Sequence, residues 1–408
     1  MSLIIKNGKV PKTPHTEFYA IKNVLALEEI HGSHGFGGPF TRKYHIRSYP
    51  TEQILPPKPS KYSLKFKKAS TTTLEPYHIL SNEIPYEGDY IEGRKALFFG
   101  DKTVISVSRF KKSMNKSTFF KNGEKYELIY VQEGSGILKT EYGDLKIEKE
   151  NYIVIPKGTI YQVALISKSA FFFIIESTFP IIFPPHYMNK DGQATLMSSV
   201  VETEIETPTF QPPIDQRGKY ELHTKHNNGE LTHLTLGHHP FDIAGWEGSL
   251  YPFTFNAHDH HGIAREIHTA PPMRQTFQSG DGYTYGFTIC TFRSQMEGWH
   301  PKDIPAPYAH SNVDSDEILF FSNTNYEARK GIIGEGSITL HPAELPHSPH
   351  GNAAERSIKH RAKISKMLAV MLDTFFEGLK ITDYAYKFRD KDYATSWYKA
   401  SKKGKNAK

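Results

Sequence analysis

The residues of this chain best suited to metal chemistry lie in two short segments of its C-terminal half. In PYAHSNVDSDEILFF, His310 and Glu317 flank a turn of small and acidic residues that precedes a strand-like run. In SITLHPAELPHSPHG, His347 follows about thirty residues later. Two imidazoles and one carboxylate on one face of a barrel form the facial ligand set that leaves positions open on Fe(II). We therefore predict an Fe(II) centre held by His310, Glu317 and His347.

Each of these three residues also has a simpler interpretation. The acidic turn before Glu317 could be merely solvated, and the two histidines could be surface residues. The order His, Glu and a second His is nevertheless that of the ligands in cupin barrels, and 14 of the 21 histidines lie between His223 and His350. Zinc is a competing metal, because it also accepts imidazole and carboxylate ligands.

The composition excludes several other classes of protein. With one cysteine, Cys290, the chain can have neither a disulfide framework nor a cysteine-based metal site, and we expect this residue to pack in a strand. The net charge is +6, but the largest basic cluster is the terminal SKKGKNAK, which is typical of a solvated tail, so we expect no nucleic-acid partner. No apolar run approaches ~18 residues and no signal peptide is evident, which favours a cytoplasmic protein without a membrane span.

The elements that must position the metal ligands are predicted to be mostly strands. Short runs rich in β-branched and aromatic residues, such as KYELIYVQEG and AFFFIIES, are broken by Gly, Asn and Asp at short intervals. This pattern predicts an all-β fold of two jelly-roll barrels, a bicupin double-stranded β-helix, with a few peripheral helices. The predicted regions are an N-terminal arm (1–60), a first barrel without metal (61–180), a linker (181–230), a second barrel with the metal site (231–356), and a C-terminal helix with a basic tail (357–408).

The C-terminal helix is predicted from apolar residues that recur at three- and four-residue steps. These residues are Ile364, Met367, Leu368, Met371, Phe375 and Leu379.

A weak internal repeat links the two predicted barrels. Glu127 opens ELIYVQEG as Glu317 opens EILFFSN, and Tyr161 then occupies the place that His347 has in the second copy. Phe120 precedes Glu127 by the seven residues that separate His310 from Glu317. If the segments superpose, the second copy alone can bind a metal.

The region from about 237 to 351 resembles homogentisate 1,2-dioxygenase, and most closely the shorter bacterial members. The matching stretches are HHPFDIAGWEGSLYPFTFN, IHTAPPMRQTF, IPAPYAHSNVDSDEILFF, NYEARKG and GSITLHPAELPHSPHG, with weaker likeness in VPKTPHTEF and EYGDLKIEKENYIVIPKG. The resemblance implies that His310, Glu317 and His347 are iron ligands and that His268 is the acid or base at a ring hydroxyl. It also implies that Tyr326 and His341 line the substrate site.

By the same resemblance, the substrate is a small 1,4-dihydroxylated aromatic acid that meets O2 at the iron, homogentisate being opened to maleylacetoacetate in tyrosine and phenylalanine catabolism. A homo-oligomer, trimeric or hexameric, is also implied. The chain departs from the family at three places: the extra residue between His310 and Glu317, the reduced N-terminal segment SHGFGGPF, and Ser348 where a glycine commonly follows the last ligand.

Three rival functions stay open at this point. A gentisate-type dioxygenase would use the same ligands on a related hydroquinone acid. A zinc-dependent cupin isomerase acting on a sugar phosphate predicts Lys and Arg near the metal, and the stretch around His310 has no such cluster. A non-catalytic binding module would not need the intact ligand set. His260, His261 and His350 are interpreted as loop or surface histidines.

Overall fold

The computed structural model describes residues 4–47, 53–281, 284–326 and 329–405, and most of its regular structure is β-strand. The helices are short: α1 (Ala353–Ser357), α2 (Asp383–Lys387) and α3 (Ser396–Lys405). None of the helices among these residues is long and apolar enough to cross a membrane. The strands are β1 (Ile5–Gly8), β2 (Leu27–Gly32), β3 (Phe40–His45), β4 (Gln53–Pro59), β5 (Tyr77–Ile79), β6 (Arg94–Phe99), β7 (Thr103–Phe110), β8 (Thr118–Asn122), β9 (Tyr126–Glu133), β10 (Gly136–Thr140), β11 (Gly143–Ile147), β12 (Asn151–Ile155), β13 (Ile160–Leu165), β14 (Ala170–Ser177), β15 (Ile181–Ile182), β16 (Arg217–His226), β17 (Glu230–His238), β18 (Ile243–Gly248), β19 (Phe253–Asn256), β20 (Gln275–Gly280), β21 (Gly286–Phe292), β22 (Met296–Glu297), β23 (Glu317–Phe321), β24 (Ile338–His341), β25 (Lys363–Ile364), β26 (Ala369–Thr374) and β27 (Lys380–Ile381).

Three seven-stranded sheets form the body of the protein. The first sheet has the order β11-β10-β13-β8-β16-β17-β4, the second β19-β12-β9-β14-β7-β6-β27, and the third β15-β20-β21-β26-β23-β24-β5. A four-stranded sheet, β1-β18-β3-β2, and the pair β22-β25 complete the fold. The predicted fold class, all-β with two jelly-roll barrels, is confirmed.

The second sheet is buried on both of its faces. One face packs with the first sheet around a core that includes Phe120 and Ile129, and this pair of sheets forms the first barrel. The other face packs on the third sheet, where the ring of Phe173 stacks on that of Phe320 at 4.6 Å. Burial on two faces explains why β14 reads as a continuous apolar run in the sequence and not as an alternating one.

The second barrel is less regular than the first. The third sheet forms one wall, and the far face of that sheet carries a smaller apolar cluster that includes Phe292, Leu319 and Met371. Opposite it, residues 293–316 and 342–368 follow mostly irregular paths, with the two-residue strands β22 and β25 paired among them. A barrel with one irregular wall leaves room for a cavity, which a barrel of two complete sheets fills with side chains.

The predicted helix between Ile364 and Leu379 is wrong. Residues 369–374 form β26, a central strand of the third sheet that pairs with β21 on one side and β23 on the other. A central strand buried on both faces contains apolar residues at nearly every position, so three- and four-residue steps occur in it by default. The helices of this region lie later in the chain, at α2 and α3.

Two further predicted regions contain more regular structure than expected. The N-terminal arm supplies β1, β2 and β3 to the four-stranded sheet and β4 to the edge of the first sheet. The predicted linker contains β16, which pairs with both β8 and β17. Residues 1–3, 48–52 and 406–408, parts of the predicted arm and basic tail, lie outside the described residues. The boundaries of the predicted regions remain a prediction, because strands pair across them.

Candidate metal centre

Strand alternation places three polar side chains on one face of the third sheet. In β23, Ile318 and Phe320 point into the large core shared with the second sheet, so Glu317 points to the opposite face together with Leu319. Register then sets His341 of β24 on one side of Glu317 and Asp373 of β26 on the other. A carboxylate is thus flanked by an imidazole and a second carboxylate on neighbouring strands.

The two remaining predicted ligands come from loops that are tied to each other. His310 and His347 form an isolated antiparallel bridge in which the amide of His310 donates to the carbonyl of His347 (3.0 Å) and the reverse bond is 2.9 Å. The amide of Glu344 also donates to the carbonyl of Asn312 at 2.7 Å, which fixes the turn between His310 and Glu317. The extra residue in that turn is therefore accommodated without moving either ligand away from the other.

The donor atoms of His310, Glu317 and His347 converge. His310 Nε2 lies 3.5 Å from Glu317 Oε2, and His347 Nε2 lies 3.4 Å from Glu317 Oε1. Ligands ~2.0–2.2 Å from a common ion lie about this far apart. His347 Nε2 is buried and has no hydrogen-bond partner within the described residues. A buried ring nitrogen left without a partner beside a carboxylate fits a metal ligand. Among the described residues, His310, Glu317 and His347 are the one set of three or more His, Cys, Asp or Glu side chains whose ligand atoms all lie within 4.8 Å of one another.

A chain of hydrogen bonds behind the ligands fixes Glu317. Arg329 Nη1 donates to the hydroxyl of Tyr393 (2.7 Å), that hydroxyl donates to His341 Nε2 (3.0 Å), and His341 Nδ1 donates to Glu317 Oε1 (2.8 Å). Burial lowers the pKa of His341 to about 3, so the ring is neutral and its tautomer is set by this chain. His341 also stacks on His347 at 4.2 Å, and so it orients two of the three ligands.

The charge of Glu317 is maintained by its neighbours. Burial opposes its ionisation, but the adjacent imidazoles of His310, His341 and His347 outweigh that effect and hold the pKa of Glu317 well below its usual range. Asp373 Oδ1 has no hydrogen-bond partner among the described residues, and burial, followed by the negative charge of Glu317, raises the pKa of this carboxyl. Asp373 was not predicted as a site residue, because the expected helix concealed an acid in the middle of a buried strand.

The ligands open onto a cavity of about 710 Å³. His268 and Tyr326, two of the predicted site residues, line it together with Arg274 and Phe292. His341 is not among the lining residues; it is buried behind Glu317, where it contacts that carboxylate.

His268 is held in the form that accepts a proton. Its Nδ1 lies 3.1 Å from the carbonyl oxygen of Pro305, which can only accept, so Nδ1 carries the hydrogen and Nε2 is left as the acceptor. Its own amide donates to Asp303 Oδ1 at 3.0 Å. Burial lowers the pKa of His268, which favours the neutral ring. Tyr326 is held in the opposite state, because burial raises the pKa of its hydroxyl to about 12 and keeps the proton on it.

The C-terminal segment packs against the loop that carries His347. Trp397 Nε1 donates to the carbonyl of Ser348 (2.8 Å), and the Trp397 ring stacks on His350 at 4.1 Å. Asp390, earlier in the same segment, lies 3.2 Å from His78 of β5. Ser348, where the family commonly has glycine, thus contributes its backbone carbonyl to a contact that any residue could make.

His260 and His350, which were interpreted as loop or surface histidines, lie in loops but are buried. His350 packs under Trp397. His260 packs behind the third sheet, where its Nδ1 contacts Thr276 Oγ1 at 3.2 Å. Cys290 is buried in β21, as expected.

The first barrel repeats the geometry with different side chains. Phe120 and Tyr161 are paired in register as His310 and His347 are, and Tyr161 donates to Glu127 Oε2 at 2.7 Å. Glu127 pairs in register with Glu176, as Glu317 does with Asp373. The internal repeat read from the sequence therefore corresponds to equivalent positions in the two barrels.

A basic side chain occupies the centre of the first barrel's set. Arg94 Nη1 donates to Glu127 Oε1 at 2.6 Å, and Arg94 Nη2 donates to Glu176. Lys225 Nζ also lies 2.6 Å from Glu176 Oε2. The carboxylates are thus neutralised by the chain itself.

Comparison with known proteins agrees with this geometry. The family model for the homogentisate 1,2-dioxygenase N-terminal domain matches residues 89–257, and that for the C-terminal domain matches residues 272–404. A Saccharolobus solfataricus protein described as a candidate dioxygenase is 32% identical over 96% of this chain and 98% of its own length. Homogentisate 1,2-dioxygenase of Caenorhabditis elegans is 25% identical over 72% of this chain and 68% of its own.

Among solved structures, a cupin 2 conserved barrel domain protein of Leptotrichia buccalis has a TM-score of 0.33 and 9% identity, covering 76% of this chain and 99% of its own. The two family models together span most of the chain and contain most of the strands of both barrels. The chain therefore belongs to the homogentisate 1,2-dioxygenase family and is an aromatic ring-cleavage dioxygenase.

Proposed function

We propose that the chain opens the ring of homogentisate, a 1,4-dihydroxylated aromatic acid, to give maleylacetoacetate, with Fe(II) held by His310, Glu317 and His347. The observation that carries the proposal is the convergence of these three donor sets at the wall of a cavity that His268 and Tyr326 also line. Fe(II) bound there would supply open coordination positions at which the aromatic acid and dioxygen can meet.

Side chains of the cavity would transfer a proton and hydrogen-bond to the substrate. Neutral His268, with Nε2 as acceptor, is suited to take the proton of a ring hydroxyl as the ring becomes electron-rich. Tyr326, protonated and packed at 5.3 Å on Phe321, can donate a hydrogen bond to a substrate oxygen. Both oxygen atoms of dioxygen are incorporated into the product, so no external reductant is required.

Oxygen uptake tests the proposal directly. Protein freed of metal and reloaded with Fe(II) or with Zn(II) is supplied with homogentisate, gentisate and hydroquinones without a carboxylate. We expect uptake with Fe(II) and homogentisate, and the ring-opened product by absorbance. Preference for gentisate would replace the substrate, and turnover with zinc but no oxygen uptake would replace the reaction class.

A variant separates the role of His268 from that of the ligands. We expect His268→Phe to keep its metal while turnover falls ~100- to 10,000-fold, because removing a positioned base has effects of that size. Metal content measured on the same sample is the control. Wild-type turnover in this variant would remove His268 from the mechanism.

A further inference from the structure

Arg274 is a buried cation at the wall of the cavity. It ends the 3-10 turn Pro271–Arg274 directly before β20, and its side chain is 1% exposed. The residue lies in the motif IHTAPPMRQTF, but nothing in the pattern of that motif separates it from a surface arginine. Only the fold brings it into the same cavity as His268 and the metal ligands.

The guanidinium of Arg274 is only partly satisfied. Its Nη2 donates to Glu297 Oε1 and Oε2 at 3.1 and 3.3 Å, while Nε and Nη1 have no hydrogen-bond partner within the described residues. The ring of Phe292 lies 4.8 Å from the guanidinium carbon. Buried charged donors without acceptors are unfavourable by a few kcal/mol, so a protein that retains them generally provides for an acceptor.

The charges around the cavity favour an anion as that acceptor. Four Lys or Arg side chains line it, against the three carboxylates of Glu297, Glu317 and Asp373, and a divalent ion would add to the positive side. Lys363 and Lys366 are exposed at the rim, and Arg329 bonds to Tyr393. Arg274 is thus a buried cation of the cavity whose Nε and Nη1 have no acceptor among the described residues.

We propose that Arg274 binds the carboxylate of the aromatic acid and selects acids over neutral hydroquinones. This rests on the proposed function and deepens it, because it assigns the recognition of the acid to a residue outside the metal centre. A guanidinium forms charge-assisted hydrogen bonds with a carboxylate that are about twice as strong as neutral ones. A carboxylate has two oxygens, so a hydrogen bond from Arg274 to one of them would leave the other free to bind a metal.

The test compares an acid with its own primary amide, which has the same ring and nearly the same shape. Because Arg274→Met alone would leave the buried charge of Glu297 with only the Ser365 hydroxyl as its recorded partner, the informative variant is Arg274→Met with Glu297→Gln. Dissociation constants are measured by calorimetry without oxygen, and kcat and KM by oxygen uptake. We expect binding of the acid to weaken ~10- to 100-fold and binding of the amide to change little.

Arg109→Met is the matched control. Arg109 is also buried and its Nε also has no hydrogen-bond partner in the described part of the chain, but it lies outside the cavity, where its Nη1 donates to the carbonyl of Ser81. The preference for acid over amide should persist in this variant. Equal weakening of acid and amide in the Arg274 double variant, or no weakening, overturns the inference. A wild-type protein that prefers the acid in calorimetry but consumes no oxygen overturns the proposed function alone.

Discussion

The two barrels compensate the charge of buried acidic side chains in different ways. Each buries a glutamate at the start of a strand, with a second acid beside it on the next strand. In the first barrel, Arg94 lies between Glu127 and Glu176 and neutralises them. In the second, the residues around Glu317 are imidazoles, which supply lone pairs as well as hydrogens. Under the proposed function, a metal ion would supply in the second barrel the positive charge that Arg94 supplies in the first.

The same contrast holds for packing. Tyr90, Phe120 and Tyr161 fill the first barrel with rings in edge-to-face contact at 5.4–6.2 Å. In the second barrel the irregular wall holds its ligands by backbone bonds and leaves about 710 Å³ open. Because side chains fill its interior, the first barrel has a structural role. The second barrel has a cavity in which a substrate could react.

The largest expected effect comes from removing the carboxylate that the metal needs. Glu317→Ala should weaken metal binding by more than ~100-fold, beyond the usual effect of altering a residue that only supports a ligand, and turnover should fall to background. Metal content after dialysis is the measurement. Tyr161→Phe, at the position equivalent to His347, should retain its metal. Stoichiometric metal in Glu317→Ala would refute the assignment.

The corresponding change in the first barrel should affect folding. Arg94→Met removes the buried cation that Glu127 and Glu176 share, which leaves Glu176 with Lys225 and Glu127 with the Tyr161 hydroxyl, and we expect a loss of about 3–5 kcal/mol in the free energy of unfolding. Chemical denaturation measures it, and Arg94→Met with Glu127→Gln should recover part of the loss. Metal bound per folded molecule should not change. A loss below ~1 kcal/mol would mean that Arg94 is dispensable to the barrel.

Acid should weaken the first barrel through Glu176. Burial opposes its ionisation, but Lys225 and Arg94 lower the pKa of this carboxyl to about 2. A depressed carboxyl pKa stabilises the folded state above the unfolded value of ~4.3, and that contribution is lost as the pH falls from there toward about 2. Thermal unfolding between these pH values should show the slope, and Glu176→Gln should reduce it. An unchanged slope in that variant would assign the acid sensitivity elsewhere.

The smallest effect is expected behind the ligands. His341→Phe gives β24 an apolar residue, as Ile155 is apolar at the equivalent position beside Glu127. We expect metal affinity to fall ~10- to 100-fold, since ligand-supporting residues have effects of that size. Competition with a chelator measures it. His260→Phe is the control, because His260 is also a buried histidine but its Nδ1 contacts Thr276 and not Glu317. This variant should leave the affinity unchanged.

The sequence was most informative where spacing along the chain is short. The candidate ligands could be proposed from the sequence because short motifs carry them: His310, Glu317 and His347. The internal repeat could be recognised because similar short intervals separate its counterparts in the first barrel, Phe120, Glu127 and Tyr161. The strand alternation of EILFF also orients Glu317 correctly. These features need no knowledge of distant contacts.

The residues that the sequence did not reveal depend on distant pairing. Asp373 reaches the site through the pairing of β26 with β23, and Arg274 reaches it from the turn that precedes β20. The helix predicted over residues 364–379 is wrong for a related reason, since a strand buried on both faces of its sheet loses the alternation of apolar and polar residues. Tyr393 acts through His341 from a position 52 residues away in the chain.

The contacts of Trp397 and Asp390 with the second barrel have a consequence for the order of synthesis. A nascent chain that has emerged as far as His347 carries all three predicted ligands, but it still lacks β26, Tyr393 and the ring that stacks on His350. The first barrel can close much earlier, because its two sheets are nearly complete once β17 has been made. On the ribosome, the metal centre should therefore be the last part of the molecule to take shape, with an already folded barrel as its template.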